Sequence, residues 1–377
     1  MSRPTFEKLH NILQPQLDKI FLPKGGGRRD QKKSRYLIDT RTRLAIALRF
    51  FSGASPLDLF RIHCISPTST YISIWGVVDA INNTKELQYT FPNHAKQRKN
   101  ARGFYSKSGA GFSKVIGAID GILIACCMPP LYVCELLKVG QNNFRCHRKD
   151  KHGLNMQAIC DDELMFEWAE IKWPGASSDY MAWMTSLLRK LLDEQEESKI
   201  LVEDDMVILG DCAYVKRNYM AIPLKGSRAG HEDAYNFYHS QLRITIERAF
   251  GVFVHRWAIL RSPLVIPLVK TTPLVASLIR LHNFCIREKE TIIPKIMPHC
   301  EKNLRKNVEV AKRHYKGVYD VVELDEFSRP TTLLNHGNHF ADAQSERRNR
   351  RAVDLGETTM DRMIASVKDQ GLRRPKY

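Results

Sequence analysis

Residues 114–127 read KVIGAIDGILIACC, an apolar run of strand-like composition with one acid, Asp120, at its middle. An unpaired carboxylate is costly to bury, so the chain must supply Asp120 with partners. VIGAIDG and ILIACCM read as two strands meeting at Gly121. A counterpart lies downstream in VILGDCAY, where Asp211 also follows an apolar strand-like run and precedes a small-residue turn. Acids at strand ends sit where an α/β sheet opens into loops, and such sheets build their sites there. Two of them on neighbouring strands repel and raise a pKa unless a cation lies between them. Their hard oxygens match Mg²⁺ or Mn²⁺.

A third acid, Glu247, lies in QLRITIERAFGVF, on a helix otherwise rich in apolar residues and after 35 intervening residues from Asp211. Arg243 sits one turn earlier and can pair with Glu247 or with a phosphate. Taken singly, Glu247 reads equally as half of a surface ion pair, and Asp120 as a hydrogen-bonded turn acid. Strand acid, later strand acid, then helix acid is the layout of an RNase H-like nuclease core. The expected fold class is therefore α/β, a mixed sheet flanked by helices, with an N-terminal all-helical part. In such a core two metals about 4 Å apart activate a nucleophile and stabilise the leaving oxygen of a phosphodiester.

The totals agree with an anionic substrate. Lys and Arg outnumber Asp and Glu by 58 to 41, a net charge of +17. Such a surplus points to nucleic acid first and a membrane surface second. No apolar run reaches the roughly 20 residues of a membrane span, and no membrane partner is expected. MSRPTFEKLH has no signal-peptide apolar region. The nine cysteines are scattered, with no CxxC pair and no zinc spacing. They read as reduced thiols of a cytosolic or nuclear protein.

Along the chain, residues 1–36 read as a short helix-like piece and then a basic arm, KGGGRRDQKKSRY. Residues 37–92 divide into three apolar-periodic pieces broken at SGASP and CISPTST, with Ser66 and Ser69 or Thr70 as N-cap candidates. This is the outline of a helix-turn-helix, and equally of a plain helical bundle. Residues 93–113 read as a basic linker and 114–290 as the endonuclease domain. There LNMQAICDDELMFEWAEIKW predicts a hairpin, DYMAWMTSLLRKLLDEQEE one helix, YMAIPL a short strand, and two long helices follow. Residues 291–377 read as a basic, partly disordered tail.

The chain resembles PIF/Harbinger transposases and the harbinger transposase-derived nucleases, of the DDE superfamily of endonucleases. IGAIDG, RKDKHGLNMQAICD, WPGASSDY, ILGDCAY, YNFYHSQLRITIERAFGVFVHRWAIL and LHNFCI occur in the family's order over roughly residues 114–286. The resemblance implies a catalytic triad of Asp120, Asp211 and Glu247 and a further metal contact at Asp179. It implies a divalent metal, Mg²⁺ or Mn²⁺. It implies DNA as substrate, cut at transposon terminal repeats and joined to a target site. Arg148, Lys149, His152 and Arg243 are the candidate phosphate contacts. A separate Myb/SANT-like DNA-binding protein is the implied partner, a homo-oligomer is left open, and the expected location is the nucleus, with cytoplasm as well.

The chain also departs from the family's pattern. Ile122-Leu123-Ile124 stand where the family has Thr-His-Ile, Ser178 where it has His, Cys212-Ala213 where it has Ser-Gly, and Asp150 where it has Gly. The lost polar groups neighbour the acids in sequence, and such losses reach roughly 10–100-fold in metal affinity or activity. Two other readings therefore stand beside the nuclease. One is a domesticated, weakly active or inactive derivative that binds DNA or a protein. The other is an RNase H-like hydrolase acting on RNA.

Overall fold

The computed structural model describes residues 1–22, 38–194, 201–203, 205–226, 229–290 and 357–375. The basic stretches 24–35 and 345–351 lie outside the described residues. Among the described residues, four helices precede residue 84: α1 Arg3–Phe21, α2 Thr40–Phe51, α3 Pro56–Ile62 and α4 Pro67–Asn83. Their starts are encoded locally. Asp39, Ser55 and Ser66 accept hydrogen bonds from the first-turn amides of α2, α3 and α4, and proline opens α3 and α4.

The stretch read as a basic linker carries a helix, α5 His94–Lys107. It packs on the first strand, β1 Val115–Ala125, and buries Gln97, Asn100, Ala101 and Phe104. β1 is continuous, where the composition suggested two strands meeting at Gly121. After α6 Leu131–Leu137 come β2 Arg145–Cys146, β3 Lys151–Cys160 and β4 Phe166–Pro174. β3 and β4 are the expected hairpin. The segment expected as one helix is two, α7 Asp179–Met184 and α8 Leu187–Glu194. They part at Thr185, whose hydroxyl accepts a 2.8 Å hydrogen bond from the Trp173 indole. β5 Val207–Leu209 and β6 Met220–Ala221 complete the sheet, and α9 His231–Arg256 and α10 Leu268–Arg287 follow. A further helix, α11 Thr359–Asp369, lies in the tail and packs on α9.

The sheet is mixed, in the order β2-β3-β1-β5-β6 with β4 also on β3. β1 runs antiparallel to β3 and parallel to β5, and β5 runs parallel to β6. One face packs on α9 and α10. There Ala118, Ile124, Met156 and Ala158 meet Ile246, Phe250, Phe253 and Leu278. The same cluster continues through Leu9, Leu13, Leu44, Phe51, Val77 and Ile81 of α1, α2 and α4. The N-terminal helices and the sheet therefore share one apolar core. The other face carries Ile119, Ile159, Ile208 and Met220 against Trp183 and Leu188 of α7 and α8. The LHNFCI stretch acts as a clamp on the sheet. Asn283 accepts from the Phe166 amide at 2.8 Å and donates to its carbonyl at 2.7 Å. Among the described residues, no helix is long and apolar enough to cross a membrane.

Candidate active site

The register of β1 and β5 brings the first two acids together. Ala118 pairs with Leu209, the last pair of that ladder. Asp120 and Asp211 each lie two residues further on, on the same side of their strands, where β1 and β5 part. This is the crevice at the carboxyl ends of parallel strands. Both carboxylates are largely buried. The Asp120 pKa is raised to about 7, first by burial and then by the charge of Asp211; the Gly121 amide and Arg243 act in the opposite sense. The Asp211 pKa is raised as well, by burial first and with a contribution from Asp179, against the Ala213 amide and the cations Arg243 and Arg148.

Asp179 arrives from the other face of the sheet, and a missing side chain admits it. It opens α7 immediately after the N-cap Ser178. A Cβ built on Gly121 would lie 2.7 Å from the Asp179 Cγ and nearer still to its Oδ1 and to the Gln157 amide nitrogen. Gly121 therefore keeps the strand narrow beside Asp120. Two amides hold the carboxylate. Gln157 donates to Asp179 Oδ1 at 2.8 Å and Asn155 donates at 3.0 Å. Gln157 also donates to Asn155 Oδ1 at 2.9 Å, and its own carbonyl accepts from the Tyr214 hydroxyl at 2.6 Å. Tyr214 is buried, and its pKa lies well above the ordinary value, through burial first and then the three aspartates, so the hydroxyl remains a donor.

Glu247 comes from α9. It is 41% exposed and pairs with Arg243 at 2.6 Å, the helix ion pair that its spacing allowed. Arg243 also reaches Asp120 Oδ2 at 3.8 Å. Burial works to lower the Arg243 pKa, but the charges of Glu247, Asp120 and Asp211 outweigh it and the pKa rises. Arg243 thus sits among three of the four acids, as an internal counter-cation.

Beside the acids lies a cleft of about 320 Å³. Arg148 and Lys149 line it with Asp179, Asn155, Ile122 and Leu123. His152 does not line it; it pairs with Arg145 across β2 and β3. Asp150 takes the left-handed conformation, φ 48°, that favours glycine, and its carboxylate accepts from the Arg145 Nε at 3.1 Å. Asp is among the few residues that visit this region. The departure at residue 150 therefore keeps the turn that presents Arg148 and Lys149.

The donor set suits a hard divalent cation: all its atoms are carboxylate oxygens, and the Asp120 pKa, raised first by burial and then by the charge of Asp211, marks a carboxylate whose ionised form a cation would favour. As the side chains stand, no three His, Cys, Asp or Glu among the described residues converge closely enough to hold an ion. Gln157 and Tyr214 were missed in the sequence. The signal for the first was present: in LNMQAIC, Asn155 and Gln157 alternate with apolar residues on one strand face.

Residues 119–283 match the DDE superfamily endonuclease family. That segment is similar to DDE superfamily endonuclease domains. It contains all four acids, Arg243, Gln157 and Tyr214. Over 254 residues the chain is 25% identical to "Putative nuclease HARBI1" of Homo sapiens and to the Bos taurus protein of the same name, covering 66% of this chain and 68% of each relative. The harbinger-nuclease resemblance drawn from the motifs is borne out. No solved structure matches the chain.

Proposed function

We propose that this chain is a metal-dependent DNA endonuclease of the PIF/Harbinger transposase type, which cuts phosphodiester bonds at transposon ends and joins them to target DNA. One observation carries the reading: the β1–β5 register sets Asp120 opposite Asp211, and Asp179 is brought beside them over Gly121.

Asp120, Asp179 and Asp211, with Glu247, are the residues that would hold Mg²⁺ or Mn²⁺. The bound metal supplies Lewis-acid activation of an attacking hydroxyl and stabilises charge on the leaving oxygen. Asn155 and Gln157 fix the orientation of Asp179, and the Tyr214 hydroxyl fixes Gln157. Arg148 and Lys149 on the cleft wall bind phosphate, while Ile122 and Leu123 exclude water from its floor. Arg243 keeps Asp120 and Glu247 from repelling each other before substrate arrives. The charge of +17 supports phosphate binding; a location in the nucleus and cytoplasm and a Myb/SANT-like partner that finds the DNA ends are carried into the proposal by the family resemblance. Assembly as a homo-oligomer belongs to the same proposal.

The reading as a weakly active, domesticated derivative is favoured by the engagement of Glu247 with Arg243 at 2.6 Å. Nicking of supercoiled plasmid in Mg²⁺ or Mn²⁺ decides between them. Wild-type protein is expected to nick with metal and Asp211→Ala is not. If wild type shows no more cleavage than Asp211→Ala, the enzyme reading falls and the binding derivative stands.

A further inference from the structure

Helix α5 lies outside the segment that matches the endonuclease family, and its cations divide by face. Lys96, Lys99 and Lys107 turn towards the β3–β4 turn and pair with Asp161 at 2.8 Å, Glu163 at 3.9 Å and Asp162 at 3.0 Å. Arg98, Arg102 and Tyr105 recur at spacings of four and three and so share another face. That face is one wall of a cleft of about 350 Å³, whose lining also includes Ser113 and Lys114 ahead of β1 and the apolar Ala101 and Met206.

Two of the cations lining this cleft are not spent on folding. Arg98 holds Glu203 at 3.0 Å. Arg102 and Lys114 are exposed, and among the described residues neither makes an ion pair or a side-chain hydrogen bond. Tyr105 is 55% exposed. An exposed aromatic ring beside two free cations is the arrangement that binds single strands: cations track the backbone and the ring stacks on a base. From Val115 to Asp120 the strand rises about 17 Å. A strand seated in the cleft is thus a few nucleotides from the acids.

We propose that the α5 cleft binds single-stranded DNA, with Arg102 and Lys114 on its phosphates and Tyr105 beneath a base. The proposal rests on the nuclease reading for its substrate class, and its test does not use cleavage. Fluorescence anisotropy with the full chain in EDTA reads binding of a labelled 20-nucleotide oligo-dT and of a 20-base-pair duplex. Arg102→Ala/Lys114→Ala is expected to weaken oligo-dT binding about 10-fold or more and to flatten the dependence of log K on log salt by about 1.4, two single-strand phosphate contacts. Tyr105→Ala is expected to weaken oligo-dT at least about fivefold, the low end of one stacked base, while Tyr105→Phe binds as wild type. Duplex binding changes little in either Tyr105 variant. All three positions are exposed, and unchanged thermal unfolding verifies the fold.

An unchanged salt slope in the double variant overturns the proposal. So does equal binding by Tyr105→Ala and Tyr105→Phe, or an equal loss on duplex and oligo-dT in Tyr105→Ala. Plasmid nicking separates the two readings: a chain that binds oligo-dT in this manner without nicking keeps the cleft and loses the nuclease, and the reverse outcome keeps the nuclease alone.

Discussion

Gly121→Ala is the smallest change that reaches the site. The added methyl would stand 2.7 Å from the Asp179 Cγ, whereas ordinary contact begins near 3.4 Å. The carboxylate must retreat by at least about 0.7 Å, and by more at Oδ1, which lies nearer. Gln157 is displaced with it, since its amide nitrogen also falls within reach of the new methyl. Two hydrogen bonds to Asp179, at 2.8 and 3.0 Å, are disturbed together. A misplacement of about 1 Å in a catalytic constellation can cost about 100-fold in rate. Plasmid nicking at saturating Mg²⁺ is expected to fall by that order, with thermal unfolding to verify that the protein folds. Asp179→Asn should lose as much without adding a methyl. Gly251→Ala on α9 is the matched control: its Cβ meets nothing within 4 Å, and alanine stabilises a helix interior by about 1 kcal/mol. Its nicking rate should stay within about twofold of wild type, the spread of such contributions. A folded Gly121→Ala protein that nicks as fast as Gly251→Ala would refute the placement of Asp179 in the chemistry.

Tyr214→Phe removes the donor to Gln157 Oε1 and leaves a buried acceptor unpaired, an expected loss of about 1–2 kcal/mol in denaturant unfolding together with slower nicking; unchanged values in both would remove Tyr214 from the support of Asp179. Arg243→Gln leaves Asp120, Asp211 and Glu247 without their shared cation. It is expected to cost about 1–3 kcal/mol in EDTA, given the partial exposure of the pair. Added Mn²⁺ should then raise its melting temperature more than that of wild type, and equal shifts would contradict the counter-cation role. Glu167 supplies a pH dependence away from the site. Its pKa is raised from 4.5 to about 7, first by burial, with Asn100 and Lys96 acting against the shift. The unfolded chain ionises above 4.5 while the folded chain keeps the proton to about 7, so stability falls as pH rises through that window. The slope from one such group is about 1.4 kcal/mol per pH unit. Asp120 adds a similar slope, so Glu167→Gln should flatten the wild-type curve between pH 5 and 7 without abolishing the dependence; an unchanged slope would refute it.

The acids were legible because each interrupts an apolar pattern, and interruption by a costly group is visible without coordinates. The register that sets Asp120 opposite Asp211 was not legible, since strand pairing over such a separation leaves no mark in either segment. Gly121 was read as a break between strands, which is what a strand-interior glycine suggests locally. Its use is tertiary: it makes room for Asp179 from another element. Helix α5 was hidden for a different reason. Its buried face includes Gln97 and Asn100, whose amides bond the Leu201 and Ile116 carbonyls, so the apolar periodicity that marks a helix is missing. The break between α7 and α8 has a local mark that was passed over: the Ser186 hydroxyl accepts from the Arg189 amide at 3.1 Å and starts the second helix.

Helix α11 ties the far end of the described chain to the site. Met360, Met363 and Val367 pack with Ala234, Tyr235 and Leu242 of α9, and Lys216 pairs with Asp361 at 2.8 Å. α9 carries Arg243 and Glu247 further along the same rod. A chain truncated soon after residue 290 would keep all four site acids and the whole of segment 119–283. It would nonetheless expose the apolar side of the helix that delivers two of the site's charges. Intact acids alone are therefore an incomplete sign of a working site, and helix α11 belongs with them.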